Sequence, residues 1–380
     1  MEKLPEAAVA AAASDVPIDV ICDILSYLPV KSVLRFRCVS KSWYSLINDS
    51  HFKKSHLHQS HDQVLVSRSP DEHYSFHVGP FFDDIVSGES TPTELLLTRI
   101  PNPQICNRMK FLAACDGLLL VRNCDNDLLT LSNPSTGQFR NLQDIKDDFP
   151  SSEGIHCYDF GYDSSTDDYK VLLRRETLIR SEKGNNMRRE NNILSVKTNS
   201  WHKVKQFTMS CGKRAVNLNG SLNWLRRHYG ATEQVWKSGV MPKIVSFSLA
   251  NETLTEMEHP YYYEYFTVMD MSVLKGCICL IVIGESTGSF TIWLMKEFGE
   301  TSSWTKVITL PKLRVLNATL LTVNHMNKTV FGIERRGVNG VDLLILNDLE
   351  AEEDYKIVKV TNFQRNTHLV TFSRSLISPN

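Results

Sequence analysis

A short element recurs along most of this chain of 380 residues: a glycine that directly precedes an apolar run of strand-forming residues. Clear copies lie at 115–120, 218–224 and 274–280, and a weaker one at 330–333. Their glycines, at positions 117, 220, 276 and 332, are separated by 103, 56 and 56 residues. One structural unit therefore spans roughly 50 to 56 residues, and a sustained period of this length restricts the chain to folds built from repeated units.

A second element is an apolar strand that ends in a polar turn, after which an outer strand begins. It occurs at 129–137, 194–201, 245–253 and 343–348, and Trp201 and Trp304 each begin an outer strand. Glycine, buried inner strand, second strand, turn and outer strand is the order expected for one blade of a β-propeller. About 310 residues at this period predict an all-β propeller of about six blades. Seven blades, or a pair of β-sandwiches, are the alternatives, and the sustained period disfavours the sandwiches.

The first sixty residues follow a helical period instead. Pro17 suits the start of a helix, and an apolar face too wide for a single seam follows it, at 18, 21, 22, 24, 25 and 28. Pro29 ends this helix and opens a second one, and Ser40 can cap a third. Roughly forty residues cannot bury so much apolar surface among themselves. We expect the excess to pack against the rest of the chain or against another protein.

The string from Val16 to Trp43 resembles the F-box of plant F-box proteins. The matching features are the Leu28-Pro29 step, Lys31-Ser32, the run at 35–39 and the run at 40–43. Val16 stands where leucine is usual, and Ser50 where a proline is frequent. The resemblance implies a small helical F-box at 15–58. The Ala-rich stretch at 1–14 is too weakly hydrophobic for a secretory signal and is predicted to be a disordered tail.

The resemblance also implies that this surface docks on a Skp-family adaptor, which links it to a cullin. The implied apolar contacts are Pro17, Ile18, Leu28, Pro29, Val33 and Leu34, and the implied basic contacts are Lys31, Arg35 and Lys41. Apart from the resemblance, residues 30–56 carry six Lys and Arg side chains against the single acid Asp49. Such a charge suits the steering of an acidic partner. Trp43 is expected to be a core anchor rather than a contact.

The body resembles the F-box-associated domain of plants, a kelch-like relative. The elements that carry this resemblance are 116–119, 133–137, 160–163 with 168–171, and 220–224. We therefore expect a multidomain α+β chain in which residues 62–376 form an F-box-associated β-propeller. The immune-receptor-regulating and S-locus groups of F-box proteins are similar to it.

No residue pattern predicts catalysis, a cofactor or a metal. The histidines at 51, 56, 58 and 61 match no zinc spacing, and we interpret them as a solvated helix end. Phosphate-binding loops, nucleophile elbows and dinucleotide-binding glycine motifs are not found in the sequence. We expect a chain that is not itself an enzyme.

Two segments that depart from the blade pattern are candidates for contact with a target protein. Residues 174–190 hold six basic and three acidic side chains and look like an extended hairpin tip, with Arg180, Arg188 and Arg189 as candidate contacts. Aromatic residues cluster at Tyr261, Tyr262 and Tyr263, and exposed aromatics anchor interfaces well. A solvated loop, and a strand packed on both faces, are the respective alternatives.

The formal net charge of −1 provides no global attraction to nucleic acid or to a membrane. Nine scattered cysteines without a C-x-x-C pair are typical of a reducing compartment, and we expect the cytoplasm, the nucleus or both. The resemblance to F-box proteins implies a substrate receptor of an SCF-type ubiquitin ligase that binds an unidentified target. The alternatives are a propeller enzyme or small-ligand binder with a helical cap, and an F-box protein that acts outside ubiquitination.

Overall fold

The structure is a computed structural model of the chain, in which an N-terminal helical region precedes a body of β-strands. It describes residues 16–59, 62–69, 72–77, 98–99, 109–145, 154–181, 184–204, 214–226, 243–260, 266–284, 289–310, 313, 315–323, 329–335, 342–346, 355–359 and 368–379. Every structural statement below concerns these residues.

Four short helices form the N-terminal region, which we call the helical head. They are α1 (Ile18–Ser26), α2 (Val30–Phe36), α3 (Lys41–Asn48) and α4 (Ser50–Gln59). Pro17 and Pro29 stand immediately before α1 and α2, where a missing backbone N–H removes no helical hydrogen bond. Ser40 caps α3 as predicted, since its Oγ accepts a hydrogen bond from the backbone N–H of Trp43 at 3.1 Å.

The described strands of the body form six four-stranded antiparallel sheets. One sheet contains β1 (Asp62–Ser69), β2 (Glu72–His77) and β3 (Thr98–Arg99). The next two contain β4 (Met109–Cys115), β5 (Leu118–Asn123), β6 (Leu129–Asn133) and β7 (Gln138–Asn141), then β8 (Ile155–Asp163), β9 (Asp168–Ser181), β10 (Gly184–Ser195) and β11 (Ser200–Lys203).

The remaining sheets continue the same consecutive order of strands. They contain β12 (Val216–Leu218), β13 (Ser221–Arg226), β14 (Lys243–Ser248) and β15 (Leu254–Met257); β16 (Phe266–Leu274), β17 (Cys277–Gly284), β18 (Phe290–Met295) and β19 (Trp304–Leu310); and β20 (Val315–Val323), β21 (Thr329–Arg335), β22 (Asp342–Leu346) and β23 (Tyr355–Lys359). The last strand, β24 (His368–Ser373), belongs to the first sheet.

Strand β24 closes the body into a ring. It pairs antiparallel with β1, and the order of this sheet is β24-β1-β2-β3. It therefore takes the edge position that the first strand in sequence holds in every other sheet. These edge strands lie next to one another around the ring, since β24 contacts both β20 and β4, and β4 contacts β8. The sheets are thus blades of a propeller, as predicted, and the two ends of the body meet in one blade.

The recurrent glycines occupy a different place in the blade from the one predicted. Gly117, Gly220 and Gly276 lie in the two-residue turns between the first and second strands, and each follows a residue that also has positive φ. Two successive positive φ angles are typical of the hairpin turn of type I′, which favours glycine at its second position. The glycine therefore precedes the second strand of the blade rather than the inner one. Gly332, the weaker copy, lies within β21.

The apolar cores lie between neighbouring blades. Phe290 in β18 meets Phe331 in β21 edge to face, with ring centroids 5.5 Å apart. A second cluster joins the sheet of β4–β7 to the sheet of β8–β11. Both faces of the second strand of a blade are buried, so this strand is a continuous apolar run. In β5, Leu118 and Leu120 belong to the cluster shared with β8–β11, and Leu119 and Val121 belong to a separate cluster on the other face.

Candidate docking surfaces

Helix α1 carries an exposed apolar stripe on the side that faces away from the head. Val20, Ile24 and Tyr27 are 44%, 57% and 72% exposed, and their spacing of three or four residues places them on one side of the helix. The opposite side packs into the core of the head through Ile21, Leu25 and Leu28. The wide apolar face seen in the sequence is thus divided, since Leu25 is buried, Ile21, Cys22 and Leu28 are partly buried, and Ile18 and Ile24 are exposed. The sequence analysis did not name Ile24 or Tyr27 as contacts, although their helical spacing could have identified them.

The residues implied as apolar adaptor contacts fall into three groups. Pro17, Ile18 and Pro29 are exposed. Leu28 and Leu34 are half-buried and pack against the core of the head. Val33 is fully buried in that core, so we assign it a packing role and leave it out of the contact surface.

The residues implied as basic contacts, Lys31, Arg35 and Lys41, are all exposed. On α4, burial lowers the pKa of Lys53, and the neighbouring charge of Arg37 lowers it further. Arg37 and Lys53 are therefore close enough for their like charges to repel each other. An acidic partner would relieve this repulsion, and opposite charge at an interface accelerates association.

His56 does not belong to a solvated helix end, which corrects the interpretation from the sequence. It is buried in α4, and its Nε2 lies 2.8 Å from the backbone carbonyl oxygen of Leu28. Since a carbonyl oxygen only accepts, Nε2 carries the proton and donates. Burial lowers the pKa of His56, and this hydrogen bond opposes the shift only in part. His56 therefore ties α4 to the Leu28-Pro29 step. No three potential metal ligands cluster among the residues described.

Among the residues that the structure describes, two contacts join the head to the body. Leu376, beyond the last strand, is 1% exposed and belongs to the core of the head. On α4, Lys54 Nζ donates to the Tyr162 hydroxyl at 2.7 Å and lies 2.9 Å from Asp167 Oδ1, in the turn between β8 and β9. The hydrogen bond from Tyr162, followed by that from Lys54, lowers the pKa of Asp167.

The two contacts contribute very different free energies. The ion pair is largely exposed, with 45% of the Lys54 side chain and 64% of the Asp167 side chain accessible, and such pairs contribute about 0–1 kcal/mol. Full burial of a leucine side chain contributes about 1.5–3 kcal/mol. Of these two contacts, Leu376 is therefore the stronger one, and it was not predicted from the sequence.

The basic segment 174–190 is an extended hairpin, but its first two arginines lie inside the sheet. Arg174 Nε donates to Asp159 Oδ2 at 2.8 Å, and its guanidinium lies 5.0 Å from the centre of a Trp224 ring. Arg175 is also buried and donates to Glu190 at 3.0 Å. These two charges are structural, so the basic excess at the surface is smaller than the sequence suggests.

Beyond these residues, β9 and β10 continue as a two-stranded ribbon. Among the described strands, β8 pairs with β9 only as far as Glu176, while β9 and β10 pair as far as Ser181 and Gly184. Leu178 and Met187 face each other across the ribbon, and each is 40% exposed.

The predicted target contacts on this ribbon are only partly described. Arg188 and Arg189 are exposed, and they pair with Glu190 at 3.4 Å and with Glu176 at 2.9 Å. The side chain of Arg180, and the cluster Tyr261, Tyr262 and Tyr263, lie outside the described residues. No helix that the structure describes is long and apolar enough to cross a membrane.

Two protein families match the sequence. The F-box domain matches residues 13–55, and the F-box associated beta propeller domain matches residues 83–379. The second match alone spans most of the chain and covers five of the six sheets completely.

Individual F-box proteins are also similar to this chain. The F-box protein CPR1 of Arabidopsis thaliana is 30% identical over 354 residues, which cover 88% of this chain and 80% of that protein. An F-box/kelch-repeat protein of the same plant is 25% identical over 315 residues, which cover 79% of this chain and 80% of that protein. Among solved structures, an oligogalacturonate lyase in complex with manganese aligns with 73% of this chain and 68% of its own, at 10% identity and a TM-score of 0.43. That similarity is too weak to bear on the chemistry of this chain.

Proposed function

The chain belongs to the F-box proteins that carry an F-box-associated β-propeller, and on this premise we propose that it is the substrate-recognition subunit of an SCF-type cullin–RING ubiquitin ligase. The helical head would dock on a Skp-family adaptor and, through it, on a cullin. The propeller would hold a target protein for ubiquitination and proteasomal degradation.

The observation that carries this proposal is the exposed apolar stripe on α1, together with exposed basic side chains on the helix that follows it. Val20, Ile24 and Tyr27 remain accessible although the head has a core of its own, and a contiguous exposed apolar surface marks an interaction site. Lys31 and Arg35 lie on α2, the next helix in sequence, and are also exposed. Apolar contacts would supply affinity, and the basic side chains would steer an acidic adaptor.

In this function the chain performs no chemistry of its own. Its contribution is proximity, because a bound target is held near a ubiquitin carrier at a high effective concentration. The ribbon of β9 and β10 is our candidate surface for the target, since Leu178 and Met187 provide exposed apolar area beside Arg188 and Arg189. The ribbon extends past Glu176, where the described pairing of β8 with β9 ends, so its exposed side chains are accessible to a second protein.

The adaptor surface is tested by Leu28→Ala combined with Pro29→Ala, and separately by Ile24→Ser. We expect both variants to abolish or strongly weaken co-purification of a purified Skp-family adaptor. Ile24→Ser should leave the thermal unfolding midpoint almost unchanged, because this side chain is 57% exposed. Phe298→Ser is the matched control, since Phe298 is an exposed apolar residue of the body and is 37% accessible. Normal adaptor binding by Ile24→Ser would contradict the proposed surface.

The target is sought by affinity purification from cells in which the proteasome is blocked. The comparison should use full-length protein with the Leu28→Ala and Pro29→Ala changes rather than a chain without its head, because removal of the head would expose Leu376. We expect ligase subunits to disappear and targets to remain. Recovery of the adaptor without any cullin would favour a role outside ubiquitination.

A further inference from the structure

The C-terminal tail, residues 374–379, returns from the propeller to the head. It follows β24 directly, and its residues Ser375, Leu376, Ile377 and Pro379 are buried. Four of these six residues are buried, and burial of a segment without regular secondary structure requires specific contacts with the surrounding structure. The tail therefore has a defined position between two parts of the molecule.

Two neighbouring apolar residues of the tail point into different cores. Leu376 belongs to the core of the head, together with Leu25, Val30 and Val33. Ile377 belongs to the cluster between the sheet of β4–β7 and the sheet of β8–β11. Two successive residues therefore contribute to both cores, and one short segment connects the head to the body.

Buried polar contacts hold the tail in this position. The Asn133 side-chain amide donates to the carbonyl oxygens of Ser375, at 2.9 Å, and of Ile377, at 2.7 Å. The backbone N–H of Ile377 donates to Ser375 Oγ at 2.8 Å. Gly117 provides the necessary space, since a Cβ there would lie 2.2 Å from Ser375 Cβ. The position of Leu376 is therefore set by the blade beneath it.

The core that Leu376 completes also supports the proposed docking residues. Leu28 and Leu34 are half-buried and pack against this same cluster. Truncation of Leu376 would leave a cavity in this cluster, and the helical segments that present Leu28 and Leu34 would lose packing contacts.

We propose that the C-terminal tail is a positioning element for adaptor docking: Leu376 completes the core of the head, and the docking surface is held in shape only when β24 has closed the propeller ring. This inference rests on the proposed function. It makes docking sensitive to the far end of the chain, because β24 delivers the tail and pairs with β1, the first strand after the head. A chain whose ring is incomplete would present a poorly ordered head to the adaptor.

The test uses the full chain with Leu376→Ala, the conservative variant Leu376→Met, and Leu310→Ala as matched control. Leu310 is 0% exposed and lies in a cluster of the body that contains no residue of the head. Two properties are measured: hydrogen–deuterium exchange of α1 and α2 in the free protein, and the Kd for a purified Skp-family adaptor. The exchange measurement needs no adaptor, so it tests the tail independently of the proposed function.

For Leu376→Ala we expect protection of α1 and α2 to fall on the order of 100-fold, because a cavity replaces a fully buried leucine. The Kd should rise about tenfold, since only part of the population keeps a competent head. Leu376→Met should restore both properties, and Leu310→Ala should leave α1 and α2 protected.

Unchanged protection in Leu376→Ala, or an equal loss in Leu310→Ala, would overturn the proposal. So would a loss of protection that leaves the Kd unchanged, because the tail would then stabilise the head without positioning the docking surface. Failure of the unaltered chain to bind any adaptor would refute the proposed function instead, while the exchange data still decide whether the tail supports the head.

Discussion

The turn at Gly117 offers a direct measurement of how tightly the C-terminal tail is held. Gly117 has φ of +78°, and a Cβ there would lie 2.2 Å from Ser375 Cβ and 2.5 Å from the carbonyl oxygen of Ser373. Gly276 occupies the equivalent turn of another blade with φ of +72°, and a Cβ there would meet nothing within 4 Å. Both Gly117→Ala and Gly276→Ala therefore place an alanine at positive φ. Only Gly117→Ala also brings a methyl group into contact with the C-terminal tail.

The expected fall in the free energy of unfolding is the sum of backbone strain and overpacking. An alanine in left-handed backbone costs about 1–2 kcal/mol relative to glycine, and this applies to both variants. Overpacking against a closely packed neighbour costs about 1–3 kcal/mol more, and this applies to Gly117→Ala alone. We therefore expect the free energy of unfolding to fall by about 1–2 kcal/mol in Gly276→Ala and by about 2–5 kcal/mol in Gly117→Ala.

Urea unfolding followed by tryptophan fluorescence measures these changes, provided that the slope with denaturant stays constant. Hydrogen–deuterium exchange of α1 and α2 then locates the loss, and only Gly117→Ala should reduce their protection. Equal destabilisation by the two substitutions would show that the tail moves away from the new methyl group without a loss of stability. The description of the tail as a fixed link between blade and head would then be refuted.

Three further changes test buried polar groups. Arg174→Met should lower the free energy of unfolding by about 3–5 kcal/mol, measured in urea, because the buried Asp159 carboxylate loses its ion-pair partner and keeps the backbone N–H of Ala215. Burial would raise the pKa of Asp163, but hydrogen bonds led by that of Lys170 outweigh it and hold the pKa below its usual value. The Asp163 carboxylate therefore contributes fully to the free energy of unfolding above its unfolded pKa of about 3.9, and this contribution is lost as the pH falls through its folded pKa. Asp163→Asn should thus destabilise the protein at pH 7 and much less near pH 2. Because the pKa of His56 is lowered, stability of the head should decrease as the pH falls below about 6.5, and His56→Gln should remove this dependence in hydrogen exchange at pH 5 and pH 7.

The repeated turns show how far a local pattern can be interpreted. A residue pair such as Asp116-Gly117 predicts a tight hairpin, because only a few residues adopt positive φ without strain. The same pattern does not reveal which strand of the blade lies at the centre of the ring. The sequence analysis therefore predicted the repeat and the propeller correctly but placed the glycine one strand too early. Neighbours in other blades decide that order, and local sequence does not encode them.

Charged residues were the least predictable from sequence. Arg174 and Arg175 resemble a solvated basic loop, yet both are buried, because Asp159 and Glu190 are brought beside them by strand pairing. His56 was likewise taken for a surface residue and is buried against the Leu28 carbonyl. In each case the partner lies at least 15 residues away in sequence, so the pairing exists only after folding.

By itself, the sequence determined the helical head, the family and the repeated body, since these depend on local period, turn residues and a continuous motif. Only the tertiary structure decided which half of α1 stays exposed, because that depends on what packs beneath the helix. It also showed that the last residues of the chain complete the core of the first domain through Leu376. A contact of this kind leaves no local signal, because Leu376 is an ordinary apolar residue until ring closure places it against the head.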